Sequence, residues 1–221
     1  MNRRHAITAL VLACAALGAT ADSQPVLRPP FFGLLRPRPA PPLIYTYRGW
    51  KVDASRSAHG LSPEKTVRLV NAQIDLVEHF GLRPDVLNLM RAAPIIVVAD
   101  NRETVTYSRP PGVVVLNARR LDSKKPAALL GLLQAYLDRG LPGGVANPDV
   151  DRYRREAMAA HVWPINALML RSNGDFFAMT AGAYLVGATT REPYTRAHLQ
   201  KTQPGYYQWL AKLFDGGAAR R

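Results

Sequence analysis

Residues 124–144 read KKPAALLGLLQAYLDRGLPGG, and this stretch decides the fold expected for the chain. Its leucines and Tyr136 cover most of the circumference of a helix over residues 124–139. A helix that is apolar nearly all round is a buried, central one. Ser123 is expected to cap its start, and Gly140 is expected to end it in the left-handed conformation.

Two residues, Gly131 and Gln134, do not suit a simple buried helix. A glycine in the middle of a helix costs about 1 kcal/mol relative to alanine. A buried glutamine must find hydrogen-bond partners for its amide group. The helix therefore carries two residues that apolar packing alone does not explain.

The line LLGLLQAYLD, followed by LPGG and NPD, resembles the active-site helix of bacterial secreted zincin-like metallopeptidases of the gluzincin type. Those enzymes carry H-E-x-x-H, typically inside a line such as L-H-E-L-L-H-A-Y-H-D. On that pattern Leu130 stands at the first zinc histidine, Gly131 at the general-base glutamate and Gln134 at the second histidine. The resemblance implies a degenerate member of this zinc metallopeptidase family that lacks the motif.

The line SNGDFFAMT at 172–180 resembles the N-x-x-E-F-F-A line in which the same families carry a glutamate as the third zinc ligand. Asp175 stands in the position of that glutamate. A helix start explains the same residues, because Ser172 or Asn173 can cap a helix and Asp175 suits its dipole. The resemblance extends over residues 62–215.

The remaining pattern predicts an α+β fold. Helices are expected over 63–79, 84–89, 148–160, 175–188 and 205–214, and strands after Pro94 and after Gly112, with a third short strand between them. The resemblance implies a zincin-like domain: a small sheet packed on the central motif helix, followed by further helices. A sheet edge and the motif helix would then line one groove.

The first 21 residues have the pattern of a secretory signal peptide: two arginines, an apolar run from Ala6 to Ala19 and a small-residue cleavage site. We therefore expect export to the periplasm or the exterior, and no membrane span after cleavage, because the run is shorter than about 20 residues. The alternative is a lipoprotein modified at Cys14, although the apolar run continues past it. Cys14 is the only cysteine, so the exported chain would hold no disulfide and no cysteine-bound metal.

Seven prolines fall in residues 22–46, which are expected to form a Pro-rich extension acting as a spacer or a disordered leader. A single domain is expected over 47–216, and 217–221 form a tail. The formal net charge of +13 favours phosphate-rich partners, but the basic residues are scattered. No specific nucleic-acid binding is expected.

The chemistry of the motif positions argues against catalysis. A catalytic zinc needs three protein ligands and an open position, and Leu130 cannot be a ligand. Gly131 has no side chain to act as the base. Gln134 and Asp175 alone do not hold zinc, so we expect no metal, no cofactor and no catalytic residue. The predicted function is that of an inactive relative, a pseudopeptidase, which binds a peptide or an envelope partner through Gln134, Asn173 and Asp175.

Two alternatives remain open at this level. One is a hydrolase with a non-standard site. Ser62 and Lys65 match the S-x-x-K pattern of penicillin-binding proteins, and His161 is the only candidate in 161–174 for the Tyr or His that many zincins use to stabilise an oxyanion. The other is a structural or interaction protein of the cell envelope. The five histidines do not pair at a spacing typical of metal sites.

Overall fold

A five-stranded sheet with mixed strand directions forms one side of the fold. The computed structural model describes residues 41–57, 61–99, 103–187 and 194–216. The strands are β1 (Ile44–Tyr47), β2 (Trp50–Asp53), β3 (Ile95–Val98), β4 (Val105–Ser108) and β5 (Val113–Asn117). Their order is β1-β2-β3-β5-β4. The three inner strands are parallel, and β1 and β4 run antiparallel at the two edges.

The hairpin of β1 and β2 was not predicted. Its two-residue turn, Arg48 and Gly49, has positive φ angles of 48° and 85°, as a type I′ turn requires. Arg48 forms an ion pair of 2.8 Å with Asp75, which also accepts a hydrogen bond from the Tyr47 hydroxyl. The sheet begins at Ile44, three residues before residue 47, where the domain was expected to start.

Seven α-helices are described. They are α1 (Pro63–Glu78), α2 (Pro84–Arg91), α3 (Ala127–Gly140), α4 (Pro148–Ala159), α5 (Asn173–Val186), α6 (Arg196–Thr202) and α7 (Pro204–Asp215). A mixed sheet with seven described helices agrees with the predicted α+β class, and α6 is the helix that the sequence pattern did not predict. Helix α3 contacts β4 and β5 on one side, and α1, α2 and α5 on others. It is thus the centre of the fold.

The start of α3 differs from the prediction, because Ser123 does not cap it. The helix begins at Ala127, after Pro126, and no side chain of its own N-cap residue caps it. Gln73 of α1, which is fully buried, accepts a hydrogen bond of 3.0 Å from the backbone N–H of Ala128. Its amide nitrogen donates to the carbonyls of Asp122 and Lys125. Gln73, on another helix, therefore accepts the hydrogen bond from the first turn of α3 that a local N-cap residue was expected to accept.

The end of α3 also differs from the prediction. Gly140 is part of the helix, and Leu141 follows it in an extended conformation. The left-handed glycine comes later, at Gly143, with a φ of 77°. The buried face of α3 carries most of its apolar residues, whereas Leu130, Gln134 and Asp138, at four-residue steps, are only half-buried. The helix is therefore central but keeps one half-buried stripe, and Gln134 in this stripe borders an opening in the surface.

The described residues belong to one compact unit. The predicted signal peptide, most of the Pro-rich extension and the tail at 217–221 lie outside the described ranges. None of the helices within those ranges has the length and hydropathy of a membrane span.

Candidate functional site

A polar cleft of about 440 Å³ opens along the half-buried stripe of α3. We call it the central cleft. Its walls come from α3, the end of β4, the start of α5 and the neighbouring segments, and its lining residues are Tyr107, Arg109, Gln134, Val145, Arg154, Ser172, Asn173, Gly174 and Asp175. The cleft therefore contains the three residues to which the sequence assigned a binding role.

Gln134 and Asp175 meet directly in the central cleft. The amide nitrogen of Gln134 donates a hydrogen bond of 3.1 Å to Oδ1 of Asp175, although 41 residues separate them in the sequence. Oδ2 of Asp175 accepts a hydrogen bond of 2.8 Å from the Ser172 hydroxyl. The aspartate is thus held between α3 and the first turn of α5, with both carboxylate oxygens engaged.

Asp175 also lies in the first turn of α5, as the predicted helix start at residues 172–175 requires. Ser172 is the N-cap: its Oγ accepts a hydrogen bond of 3.0 Å from the backbone N–H of Asp175. Ser172 and Asp175 occupy the N-cap and N3 positions of a capping box, but here the Ser172 hydroxyl, not its backbone N–H, donates to the Asp175 carboxylate. Asn173, the other capping candidate, is the first residue of the helix and does not cap it. The capping contact and the contact with Gln134 coexist at one carboxylate.

Asn173 braces one wall of the cleft. Its Oδ1 accepts a hydrogen bond of 2.7 Å from Nε of Arg154, and its Nδ2 donates to the carbonyl of Val145. Arg154 in turn donates to the carbonyl of Leu170. Because its amide is used on both sides, Asn173 orients the arginine more readily than it could bind a ligand.

The opposite wall holds residues that the sequence reasoning missed. The hydroxyl of Tyr107, on the edge strand β4, donates a hydrogen bond of 2.8 Å to Asp138 of α3. Arg109 donates to the other oxygen of the same carboxylate at 3.0 Å. Burial raises the pKa of the Tyr107 hydroxyl, and so does its hydrogen bond to Asp138. Only the step of four residues from Gln134 to Asp138 hinted at this cluster, since Tyr107 is distant in sequence.

Gly131 lies on a different side of α3 from the cleft. A Cβ atom at this position would come within 2.7 Å of Cγ2 of Val105 and 2.8 Å of Cγ1 of Val114. Both valines belong to the sheet, so a larger side chain at 131 has no room. Leu130 is half-buried and is not among the residues that line the cleft. Of the three motif positions, only Gln134 therefore borders the cleft.

The residues present do not fit a catalytic zinc. The carboxylate of Asp175 is engaged by two donors, Gln134 offers an amide, and Leu130 offers no donor atom. Within the described ranges, no group of three His, Cys, Asp or Glu side chains is arranged to hold a metal.

Two of the three described histidines have ring contacts with backbone carbonyls. His79 contacts the carbonyl of Asp75, and His198 contacts the carbonyl of Val162. His161 is exposed, with a φ of 50°, and is not among the residues that line the central cleft. His5 and His59 lie outside the described residues.

Ser62 is the N-cap of α1, as one interpretation of the sequence predicted. Its Oγ accepts a hydrogen bond of 3.3 Å from the backbone N–H of Lys65. Both residues are exposed, and neither lines the central cleft. The capping contact accounts for the S-x-x-K pattern.

Comparison with known proteins gave no match: no family model, no curated protein and no solved structure is significantly similar to this chain. The functional argument therefore rests on the geometry of the central cleft.

Proposed function

We propose that this protein is a catalytically silent relative of the secreted zincin-like zinc metallopeptidases, and that its central cleft binds an extended peptide without cleaving it. The observation that carries the proposal is the contact between Gln134 and Asp175 beside an antiparallel edge strand. These are the positions at which the resemblance expects two of the three zinc ligands, and they meet on the wall of a cleft.

The absence of hydrolysis follows from the chemistry of the same positions. A general base at residue 131 would have to occupy the space filled by Val105 and Val114. Without that carboxylate and without a zinc-bound water, nothing at the positions of the lost motif activates a nucleophile. The cleft is therefore assigned to binding, with the ligand released unchanged.

The edge strand β4 gives the cleft its preference for an extended chain. Thr104 accepts a hydrogen bond from Asn117, and the register pairs Thr106 with Val115 and Ser108 with Val113. By the alternation of antiparallel pairs, the backbone N–H and C=O of Val105 and Tyr107 point away from β5. An extended peptide can pair with those groups as an added strand.

The charges along the cleft favour a ligand without a strong net charge. Arg109 is paired with Asp138 at 3.0 Å. Arg154 lies 3.5 Å from Asp151 and is held by Asn173. The carboxylate of Asp175 is also engaged by hydrogen bonds. The cleft therefore offers hydrogen-bond donors and acceptors, but no cluster of unpaired charges of one sign. The ligand expected is therefore a peptide that is recognised chiefly through its backbone.

A comparison of two substitutions at Tyr107 tests strand addition. Peptides would first be selected from a random linear library against the wild-type protein. Tyr107→Pro removes both the side chain and the outward N–H, whereas Tyr107→Ala removes the side chain alone; proline is tolerated on an edge where its N–H faces outward. We expect Tyr107→Pro to bind the selected peptides about tenfold more weakly than Tyr107→Ala, the cost of one unmade hydrogen bond.

The measurement is fluorescence anisotropy of the labelled peptides, with unfolding midpoints recorded to show that both variants are folded. Equal affinity for the two variants would exclude pairing along β4. Cleavage of the selected peptides by the wild-type protein would contradict the silent cleft, whatever their affinity.

A further inference from the structure

Three apolar side chains are exposed near one another in the sequence, on the segment that joins α4 to α5. Ile165 is 82% exposed, Leu168 53% and Met158, in the last turn of α4, 46%. We call these three residues the apolar tip. An isoleucine with this exposure protrudes from the surface, so the tip is convex and leaves no groove for a partner to fill. None of the three lines the central cleft.

The segment that carries the apolar tip is held firmly at its base. Trp163 is only 3% exposed, and its ring stacks on that of Tyr194 with centroids 5.8 Å apart and contacts the ring of His198 at 4.9 Å. A turn hydrogen bond of 2.8 Å joins the N–H of Ala167 to the carbonyl of Pro164. The buried ring of Trp163 thus anchors the segment, while Ile165 and Leu168 stay outside the core.

Two exposed arginines flank the apolar tip. Arg155 stands three residues before Met158 on α4, and the backbone N–H of Arg171 donates a hydrogen bond of 3.1 Å to the carbonyl of Leu168. Arg155 has 69% of its side chain exposed, although it also pairs with Asp151, and Arg171 is exposed beyond Leu170. The whole chain carries a formal net charge of +13. An apolar protrusion flanked by two exposed arginines complements a surface of anionic lipid headgroups over an acyl layer.

We propose that the apolar tip docks this protein on an anionic lipid surface. Ile165 and Leu168 enter the boundary between headgroups and acyl chains, while Arg155 and Arg171 contact lipid phosphates. A lipid layer is favoured over a protein partner because a fluid layer deforms around a convex tip, whereas a protein must present a matching concave pocket. This inference stands on residues outside the central cleft and does not depend on the function proposed for it.

The first experiment places a probe on the tip itself. The chain from residue 22, the form expected after signal cleavage, contains no cysteine, because Cys14 is the only one. Ile165→Cys would be labelled with an environment-sensitive fluorophore, and Ile44→Cys, on β1 and 70% exposed, is the matched control. With vesicles containing phosphatidylglycerol, we expect a blue-shifted, brighter emission from the label at 165 and no change from the label at 44.

A second experiment measures how much the tip contributes to binding. In vesicle co-sedimentation, Ile165→Ser combined with Leu168→Ser should weaken binding about tenfold or more, and Ile44→Ser should not, because only the tip residues lose burial in lipid. Arg155→Gln with Arg171→Gln should weaken binding to phosphatidylglycerol vesicles about tenfold or more, with little effect on the weak binding to phosphatidylcholine alone. All five positions are exposed, so unfolding midpoints should stay unchanged.

Three results would overturn the proposal. One is a label at 165 that does not respond to anionic vesicles, and another is equal binding by the tip variants and the wild type. The third is a response of the label to protein concentration without vesicles, which would make the tip a contact between copies of the chain.

Discussion

Gly131 sets the distance between α3 and the sheet. A methyl group at this position would press on Val105 and Val114, at 2.7 and 2.8 Å. Valine side chains are branched at Cβ and cannot swing aside as a flexible chain end can. The close packing of helix and strand therefore explains why residue 131 is a glycine, since any larger side chain would meet these two valines.

The residue-scale prediction concerns Gly131→Ala. Alanine gains about 1 kcal/mol of helix propensity but overpacks the contact with the sheet by about 1–3 kcal/mol, so we expect a net loss of about 1 kcal/mol. Gly174→Ala, in the first turn of α5, is the control, because its Cβ would have nothing nearer than 3.7 Å. That change should stabilise the protein by up to about 1 kcal/mol.

Urea denaturation of the two variants measures both effects. A Gly131→Ala variant more stable than the wild type would show that α3 does not press on the sheet. Gly131→Glu, which places a carboxylate where the resemblance expects the general base, should lose more than about 3 kcal/mol of stability, because it buries a charge without a partner.

Gln73 shows why one local prediction failed. Ser123 has the chemistry of an N-cap and stands before an apolar run, so the sequence pattern favoured it. In the structure Gln73, 55 residues from Ala128, supplies the acceptor instead. A capping rule uses only neighbours in the sequence, and here tertiary packing provides a buried partner from another helix.

At the scale of elements, the pair α3 and α5 builds the candidate site. The two helices pack on each other, and Gln134 of α3 contacts Asp175 of α5 where the helix pair borders the central cleft. The helix patterns alone predicted that both elements exist and placed their boundaries within a few residues. Which faces of the two helices meet depends on all the side chains between them, and no single segment encodes that.

The element-scale prediction uses metal binding to measure this geometry. The wild-type protein should show no saturable one-to-one zinc binding at micromolar concentrations. Leu130→His combined with Gln134→His places two imidazoles one turn apart on the half-buried stripe of α3, near Asp175. This double variant should bind zinc, and adding Asp175→Ala should weaken the binding about tenfold through loss of a third ligand.

Isothermal titration with zinc measures all three proteins under the same conditions. A pair of histidines on any helix binds zinc weakly, so the effect of Asp175→Ala is the informative quantity. If Asp175→Ala leaves the affinity of the double variant unchanged, α5 does not face the motif positions as the proposal requires. Tight binding by the wild type, abolished by Asp175→Ala, would instead contradict the proposal that the central cleft holds no metal.

At the scale of the whole molecule, buried tyrosines set the limit of stability at high pH. Burial raises the pKa of Tyr45 to about 12 and also raises the pKa of Tyr136 and of the fully buried Tyr206. In the unfolded chain a tyrosine ionises near pH 10. Above that pH the unfolded state has lost protons that the folded state keeps, so the free energy of unfolding falls as the pH rises.

We therefore expect urea midpoints to be insensitive to these groups below about pH 10 and to fall between about pH 10 and 12. Tyr206→Phe should make the fall shallower, because it removes one contributor. Absorbance at the phenolate band provides an independent measurement. Complete ionisation of all tyrosines near pH 10 in a protein that stays folded would refute the explanation.

The sequence alone determined the class of fold and most of its elements. Apolar periodicity predicted α1, α4, α5 and α7, and β-branched runs predicted β3 and β5, because these signals depend on neighbours a few residues apart. The hairpin of β1 and β2 was not predicted, because each strand has only four residues and β1 directly follows the Pro-rich stretch.

Only the tertiary structure decided which of these elements pack together and which side chains then contact each other in the central cleft. It joined Gln134 to Asp175 across 41 residues and brought Tyr107 to Asp138 across 31. It also packs Gly131 against the sheet and exposes Ile165 to solvent. Local patterns carry energies set by a few neighbouring residues, whereas these contacts depend on the sum of packing over the whole core, which no single stretch of the sequence contains.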